Sequence, residues 1–144
     1  MQNYKFLNNI NFPEKYKSKC GLEVEFVRKP NYNLGEIKKD LQRLLGVKIQ
    51  LEKEHHSDFV PTDSHYKLEP DFSLGDNSVE LVTGPMEYNL ARIVLIKMLK
   101  WIRTNPKVKT TEKCGLHLNL SFPDEDYIQN MNILVFILDF SENE

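Results

Sequence analysis

The sequence predicts an α+β fold, and two kinds of pattern along the chain predict it. Gly21-Leu22-Glu23-Val24-Glu25-Phe26, Ser78-Val79-Glu80-Leu81-Val82-Thr83 and Cys114-Gly115-Leu116-His117-Leu118-Asn119-Leu120 alternate apolar and polar side chains with the period of a strand. Asn33 to Gly46 and Met86 to Arg103 instead repeat apolar residues at helical spacing. Between them Pro70 to Asn77 is rich in turn formers and reads as the connection of a hairpin.

The elements follow in order. Residues 1–19 are polar and aromatic, contain Pro13, and read as irregular. Cys20 to Arg28 is a strand that Pro30 ends. Leu34, Ile37, Leu41, Leu44 and Leu45 form the apolar stripe of a first helix, with Asn33 as its cap and Gly46 as its stop. Val47 to Leu51 alternates as a short strand, and the polar stretch Glu52 to Ser64 is a loop. His65 to Glu69 and Ser78 to Thr83 are the two arms of the hairpin. Gly84-Pro85 breaks the second arm, and Pro85 suits the start of a helix. That helix, Met86 to Arg103, carries Leu90, Ile93, Val94, Lys97, Met98, Trp101 and Ile102 along one side, and Asn105-Pro106 ends it. Lys113 to Ser121 is the last motif strand. Pro123-Asp124-Glu125-Asp126 places acid at the positive end of a final helix, whose second half, Ile133 to Leu138, is apolar on every side. A helix of that kind is normally buried, which predicts a protein partner or self-association over it.

Composition narrows the class. The 144 residues are about one domain's worth, with ordinary apolar and charged content for a globular protein. The net charge of -2 argues against a general affinity for nucleic acid. The longest apolar run, Asn132 to Phe140, is shorter than the roughly 20 residues of a membrane span, and the N-terminus lacks the apolar core of a signal peptide. Two cysteines, Cys20 and Cys114, do not make a disulfide scaffold. The expectation is a cytoplasmic protein with reduced thiols, acting on neither nucleic acid nor membrane.

The chemistry lies in the strands. Alternate side chains of a strand share a face, so Glu23 and Glu25 point one way, as do His117 and Asn119. Leu22, Val24, Phe26, Leu116, Leu118 and Leu120 form the opposite, core-directed face. Glu80 sits in the same pattern between Val79 and Leu81. If the three strands share a sheet, three carboxylates and an imidazole converge. Such a cluster repels itself unless a cation or a proton neutralises it. Glu23 and Glu25 alone would read as the solvent face of an edge strand; their repetition in two further strands points to a metal or phosphate site. Carboxylates with one imidazole suit Mg²⁺ or Mn²⁺ better than a structural zinc. Asp71 and Ser73 are turn formers, or else buttress that site or touch substrate. His55 and His56, outside any strand pattern, read as solvated, and Cys114 as a small packed residue rather than a nucleophile. Lys107, Lys109 and Lys113 are a basic stretch that reads as a solvated face, with contact to a phosphate as the other reading. No Gly-Lys-Ser/Thr loop and no G-x-G-x-x-G occurs, so a nucleotide would be held on the sheet through metal rather than at a glycine-rich helix start.

These segments, together with Asp71-Phe72-Ser73-Leu74 and Val79-Glu80-Leu81-Val82-Thr83-Gly84-Pro85, resemble the ordered motifs of the amidoligase family. That family is grouped with the glutamate–cysteine ligases and glutamine synthetase as carboxylate–amine ligases. The resemblance covers Cys20 to Ser121. It implies an antiparallel sheet with helices packed on one face, like the N-terminal part of the glutamine synthetase and glutamate–cysteine ligase catalytic fold. The concave face would bind ATP and Mg²⁺ or Mn²⁺. The implied reaction joins a small-molecule or peptide carboxylate to an amine through an acyl phosphate. By position Glu23, Glu25, Glu80 and His117 would hold metal, with Glu23, Glu80 and Asn119 on the cofactor. Glu25, Asp71 and Ser73 would serve catalysis, the last two near the acceptor. Two departures stand out: Asn119 replaces a second histidine common in the family, and family domains usually continue further and supply additional groups for ATP. The expectation is one domain over residues 1–144, partial relative to the family. The rival readings are a catalytically inactive member serving a larger assembly, and a metal-dependent hydrolase.

Overall fold

A computed structural model describes residues 19–54 and 57–121. The irregular N-terminal segment, His55, His56 and the final helix of the sequence reading lie outside the described residues. Among the described residues the order is β1 (Lys19–Arg28), α1 (Leu34–Leu45), β2 (Lys48–Leu51), β3 (His65–Pro70), β4 (Ser78–Val82), β5 (Met86–Glu87), α2 (Tyr88–Thr104), β6 (Val108–Lys109) and β7 (Leu116–Ser121). A 3-10 turn, Phe72–Leu74, lies in the β3–β4 connection.

Strand β1 is the axis of the sheet. On one edge it pairs with β4 along Glu23 to Val27 and with β5 at Lys19 and Cys20. On the other it pairs with β7 along Lys19 to Val24 and with β6 at Val27 and Arg28. Each edge is thus covered by two pieces with a break between them. At the first break, Thr83-Gly84-Pro85, the Thr83 amide donates to the Leu22 carbonyl at 2.9 Å. The Thr83 hydroxyl accepts from the Leu22 amide at 2.9 Å, standing in for a lost ladder bond. At the second break the Glu25 amide donates to the Gly115 carbonyl.

The sheet is mixed, a correction to the antiparallel sheet expected: β3 is antiparallel to β4, but β2 runs parallel to β3. Parallel neighbours need a long crossover, and the polar loop from Glu52 to Ser64 supplies it. Both helices contribute to one core, as expected. Ile37 and Leu41 from α1 and Val94 and Met98 from α2 pack with Leu22, Val24, Phe26, Leu68 and Leu81 of the strands. The Phe26 and Trp101 rings meet edge to face, 5.5 Å between centroids. At the start of α1, the Asn33 side chain accepts from the Glu36 amide and the Glu36 carboxylate accepts from the Asn33 amide. Gly46 closes the helix in the left-handed conformation.

Five details differ from expectation. Met86 and Glu87 pair with β1 before α2 begins, because extending the sheet buries Met86 almost fully. Strand β7 starts at Leu116, since residues 111–114 form a turn in which the Cys114 amide donates to the Thr111 carbonyl. Strand β6 was not anticipated; two residues are too few to show a period. Finally, Leu116, Leu118 and Leu120 are 43–53 % exposed rather than core. They share the face of Leu22 and Val24, but α2 seats on β1 through the narrow stripe Ala91, Val94, Met98 and Ile102 and leaves β7 uncovered among the described residues. Leu90 and Ile93, expected on the buried side, point outward for the same reason.

Candidate metal centre

Register builds the site. Glu25 of β1 stands opposite Glu80 of β4, which stands opposite Glu69 of β3. One pleat along, His117 of β7 faces Glu23, and Val82 lies between Glu23 and Lys67. All of these point away from the helices, because their neighbours Leu22, Val24, Leu68 and Leu81 take the core side. Donor atoms of Glu23, Glu80 and His117 lie within 4.8 Å of one another.

Glu23 and His117, and Glu25 beside them, are oriented by neighbours. The Glu23 carboxylate shares a 2.9 Å hydrogen bond with His117 Nδ1 and accepts from Asn119 Nδ2 at 2.7 Å. Glu25 Oε2 accepts from the Gly115 amide at 2.7 Å, and Glu25 Oε1 lies 3.9 Å from His117 Nε2. A side chain at position 115 would crowd that space: a Cβ there would sit 3.0 Å from His117 Nε2 and 3.4 Å from Glu25 Oε2, so one of them would have to shift. Asn119, expected on the cofactor, donates its Nδ2 to the Glu23 carboxylate.

Electrostatics divides the carboxylates by role. Burial pushes the Glu80 carboxyl up to about 7, and the neighbouring charges of Glu23, Glu69, Glu25 and Asp71 add to the rise. Partial burial also raises Glu23, but hydrogen bonds from His117 and Asn119 outweigh it and hold the carboxyl below its ordinary value. His117 is raised by its hydrogen bond to Glu23, against a small desolvation effect. Glu80 is thus a buried carboxylate beside other carboxylates, which a cation would neutralise more effectively than a proton at neutral pH. Two carboxylates and an imidazole fit a divalent cation that keeps further positions for water or substrate oxygens.

The remaining predicted residues are placed apart from this triad. Asp71 is buried, and its Oδ1 accepts from the Ser73 amide at 2.9 Å, capping the 3-10 turn. Its charge still reaches Glu80. Ser73 is exposed on that turn. Cys20 and Cys114 are both free thiols, and Cys114 Sγ accepts from the Thr111 amide. Sequence reasoning missed Lys67 and Glu69, an almost fully buried ion pair at 3.0 Å next to Glu80. The signal was the alternation Tyr66-Lys67-Leu68-Glu69, which puts both polar side chains on the face opposite the core.

The sequence profile of the family described as "Putative amidoligase enzyme" matches residues 16–142. The chain belongs to this amidoligase family. The matched span contains every residue of the triad and both halves of the β1 pairing that assembles it. Neither the curated proteins nor the solved structures offer a match to the chain. Membership supports a ligase-like function at the level of the family. No helix among the described residues is long and apolar enough to cross a membrane.

Proposed function

We propose that this amidoligase joins a carboxylate to an amine at the expense of ATP, with a divalent cation, Mg²⁺ or Mn²⁺, at Glu23, Glu80 and His117. The observation that carries the reading is the convergence of those three donors within 4.8 Å, beside Glu25 and around a carboxyl that burial and its acidic neighbours push up to about 7. In the reaction an oxygen of the acceptor carboxylate attacks the γ-phosphorus and ADP leaves. The amine then attacks the acyl carbon of the resulting acyl phosphate, and inorganic phosphate leaves. The cation would offset the charge that accumulates between phosphate and carboxylate. Glu25, fixed by the Gly115 amide, borders the triad and is the acidic group placed to bind a second cation or to take a proton from the amine.

Titration calorimetry of ATP with and without Mg²⁺, on this chain and on Glu80→Gln, tests the proposal. The expected result is Mg²⁺-dependent binding that Glu80→Gln loses. ATP binding that ignores Mg²⁺, or that survives Glu80→Gln unchanged, would sink it. The half-exposed Leu116, Leu118 and Leu120 favour a second reading, a non-catalytic component of an assembly. That protein would show no Mg²⁺–ATP binding and a stable oligomer by light scattering.

A further inference from the structure

The acidic triad has a basic counterpart on the same sheet. Beyond Glu25 the face of β1 continues through Val27 to Lys29, because alternate residues share a face. Val27 pairs with Lys109, and the Lys29 amide donates to the Lys107 carbonyl at 2.8 Å, so the ladder extends one residue past the strand. Lys29 and Lys107 therefore stand opposite one another, with Lys109 next along the same row. A cleft of about 360 Å³ at this end of the sheet is lined by these residues together with Asn77 and Arg28, the latter one position out of phase and so on the opposite face of the strand.

Four cations around one cleft is an unusual concentration for a chain of net charge -2. No acidic side chain lines the cleft, and among the described residues none of the four pairs with a carboxylate. Like charges directly opposite each other in a ladder are destabilising. Two of the cations are pinned in place. Arg28 donates to the carbonyls of Pro30 and Tyr32, and Lys107 Nζ lies 4.7 Å from the centre of the Tyr32 ring. Tyr32 is itself buried and bonded through its hydroxyl to Asp40. Lys29 and Lys109 are exposed and without such anchors. Strand rise puts Val27 about 7 Å along β1 from Glu25.

We infer that this cleft is an oxyanion site, formed by Lys29, Lys107 and Lys109 with Arg28 at its rim, that holds the multiply charged tail of the substrate whose reacting end meets the acidic triad. The shared chemistry is two or more phosphate or carboxylate groups a few ångströms apart, matched by ammonium groups in adjacent ladder positions. The identity of the tail rests on the ligase reading; anion binding by the cleft does not, because it needs neither metal nor turnover.

The experiment is titration calorimetry in metal-free, low-salt buffer on the 144-residue chain. One arm uses tripolyphosphate and the other tricarballylate. The variants are Lys29→Gln/Lys109→Gln, its charge-keeping partner Lys29→Arg/Lys109→Arg, and Glu80→Gln. At least one anion should bind with one-to-one stoichiometry. The glutamine pair should weaken it about tenfold or more, the effect of losing one charge-assisted hydrogen bond. The arginine pair should bind within a few-fold of the parent, and Glu80→Gln should bind as tightly or more so. The stronger arm tells phosphate from carboxylate. No binding in either arm, or equal binding by the glutamine pair, would overturn the inference. Since Glu80→Gln reads out the metal site and the lysine pair reads out the cleft, either proposal can fail while the other stands.

Discussion

At the scale of single residues, the site depends on groups that hold ligands rather than on ligands alone. Gly115 both donates to Glu25 and leaves room for the His117 ring. A methyl group there meets the far end of a flexible side chain, so the fold should tolerate it while His117 turns aside. Gly115→Ala should therefore lower Mg²⁺ affinity by about tenfold, the range seen when a supporting group of a metal site is disturbed. The melting temperature should move by only a few degrees. Calorimetry and thermal melting on the same sample check both halves, and a large melting shift with unchanged affinity would assign Gly115 to the fold instead. Asn119 works in the same indirect way, through Glu23. Alternation in the sequence put Asn119 on the face of His117, but a hydrogen bond to a carboxylate on another strand leaves no trace in the pattern.

At the scale of elements, most helices and strands were legible because their residues agree on one structure. The Asn33–Glu36 cap, the stripe of α1 and the left-handed stop at Gly46 all point to the same helix, and the structure contains it. Alternation was equally reliable about which side chains of β1 and β4 share a face. What pattern could not carry was pairing. The parallel β2–β3 contact, the two-residue β5 and β6, and the exposure of the β7 leucines are set by what lies next to each element rather than by its own residues. Thr83 shows the point at a strand break. Its hydroxyl replaces a main-chain partner for the buried Leu22 amide. Thr83→Val keeps the shape and removes the acceptor, which should cost about 1–3 kcal/mol. Urea denaturation measures it, and a change below a few tenths would show that the amide finds another partner.

At the scale of the whole molecule, the acidic face ties stability to pH and to cations. The Glu80 carboxyl is raised in the folded protein from an ordinary value of 4.5 to about 7. Below 4.5 it is protonated in both folded and unfolded states; between the two values the folded state binds more protons. Its contribution is thus fully present at acid pH and lost as pH rises through about 7, a fall of roughly 3 kcal/mol. Glu23, held low, contributes the opposite trend, lost only as pH falls through its own folded value. Metal-free protein should be less stable to urea at pH 8 than at pH 5.5, Glu80→Gln should abolish most of that difference, and Mg²⁺ should restore stability chiefly at pH 8. Equal stability at both pH values in the parent would show that Glu80 is not the controlling group. The long separation of the partners across β1 has a further consequence, for synthesis. Glu23 meets His117 across 94 residues of chain, and Glu25 meets Gly115 across 90. Chains grow at roughly 5–20 residues per second, so on the ribosome Glu23 and Glu25 wait about 5–20 seconds before the strand that completes their site exists.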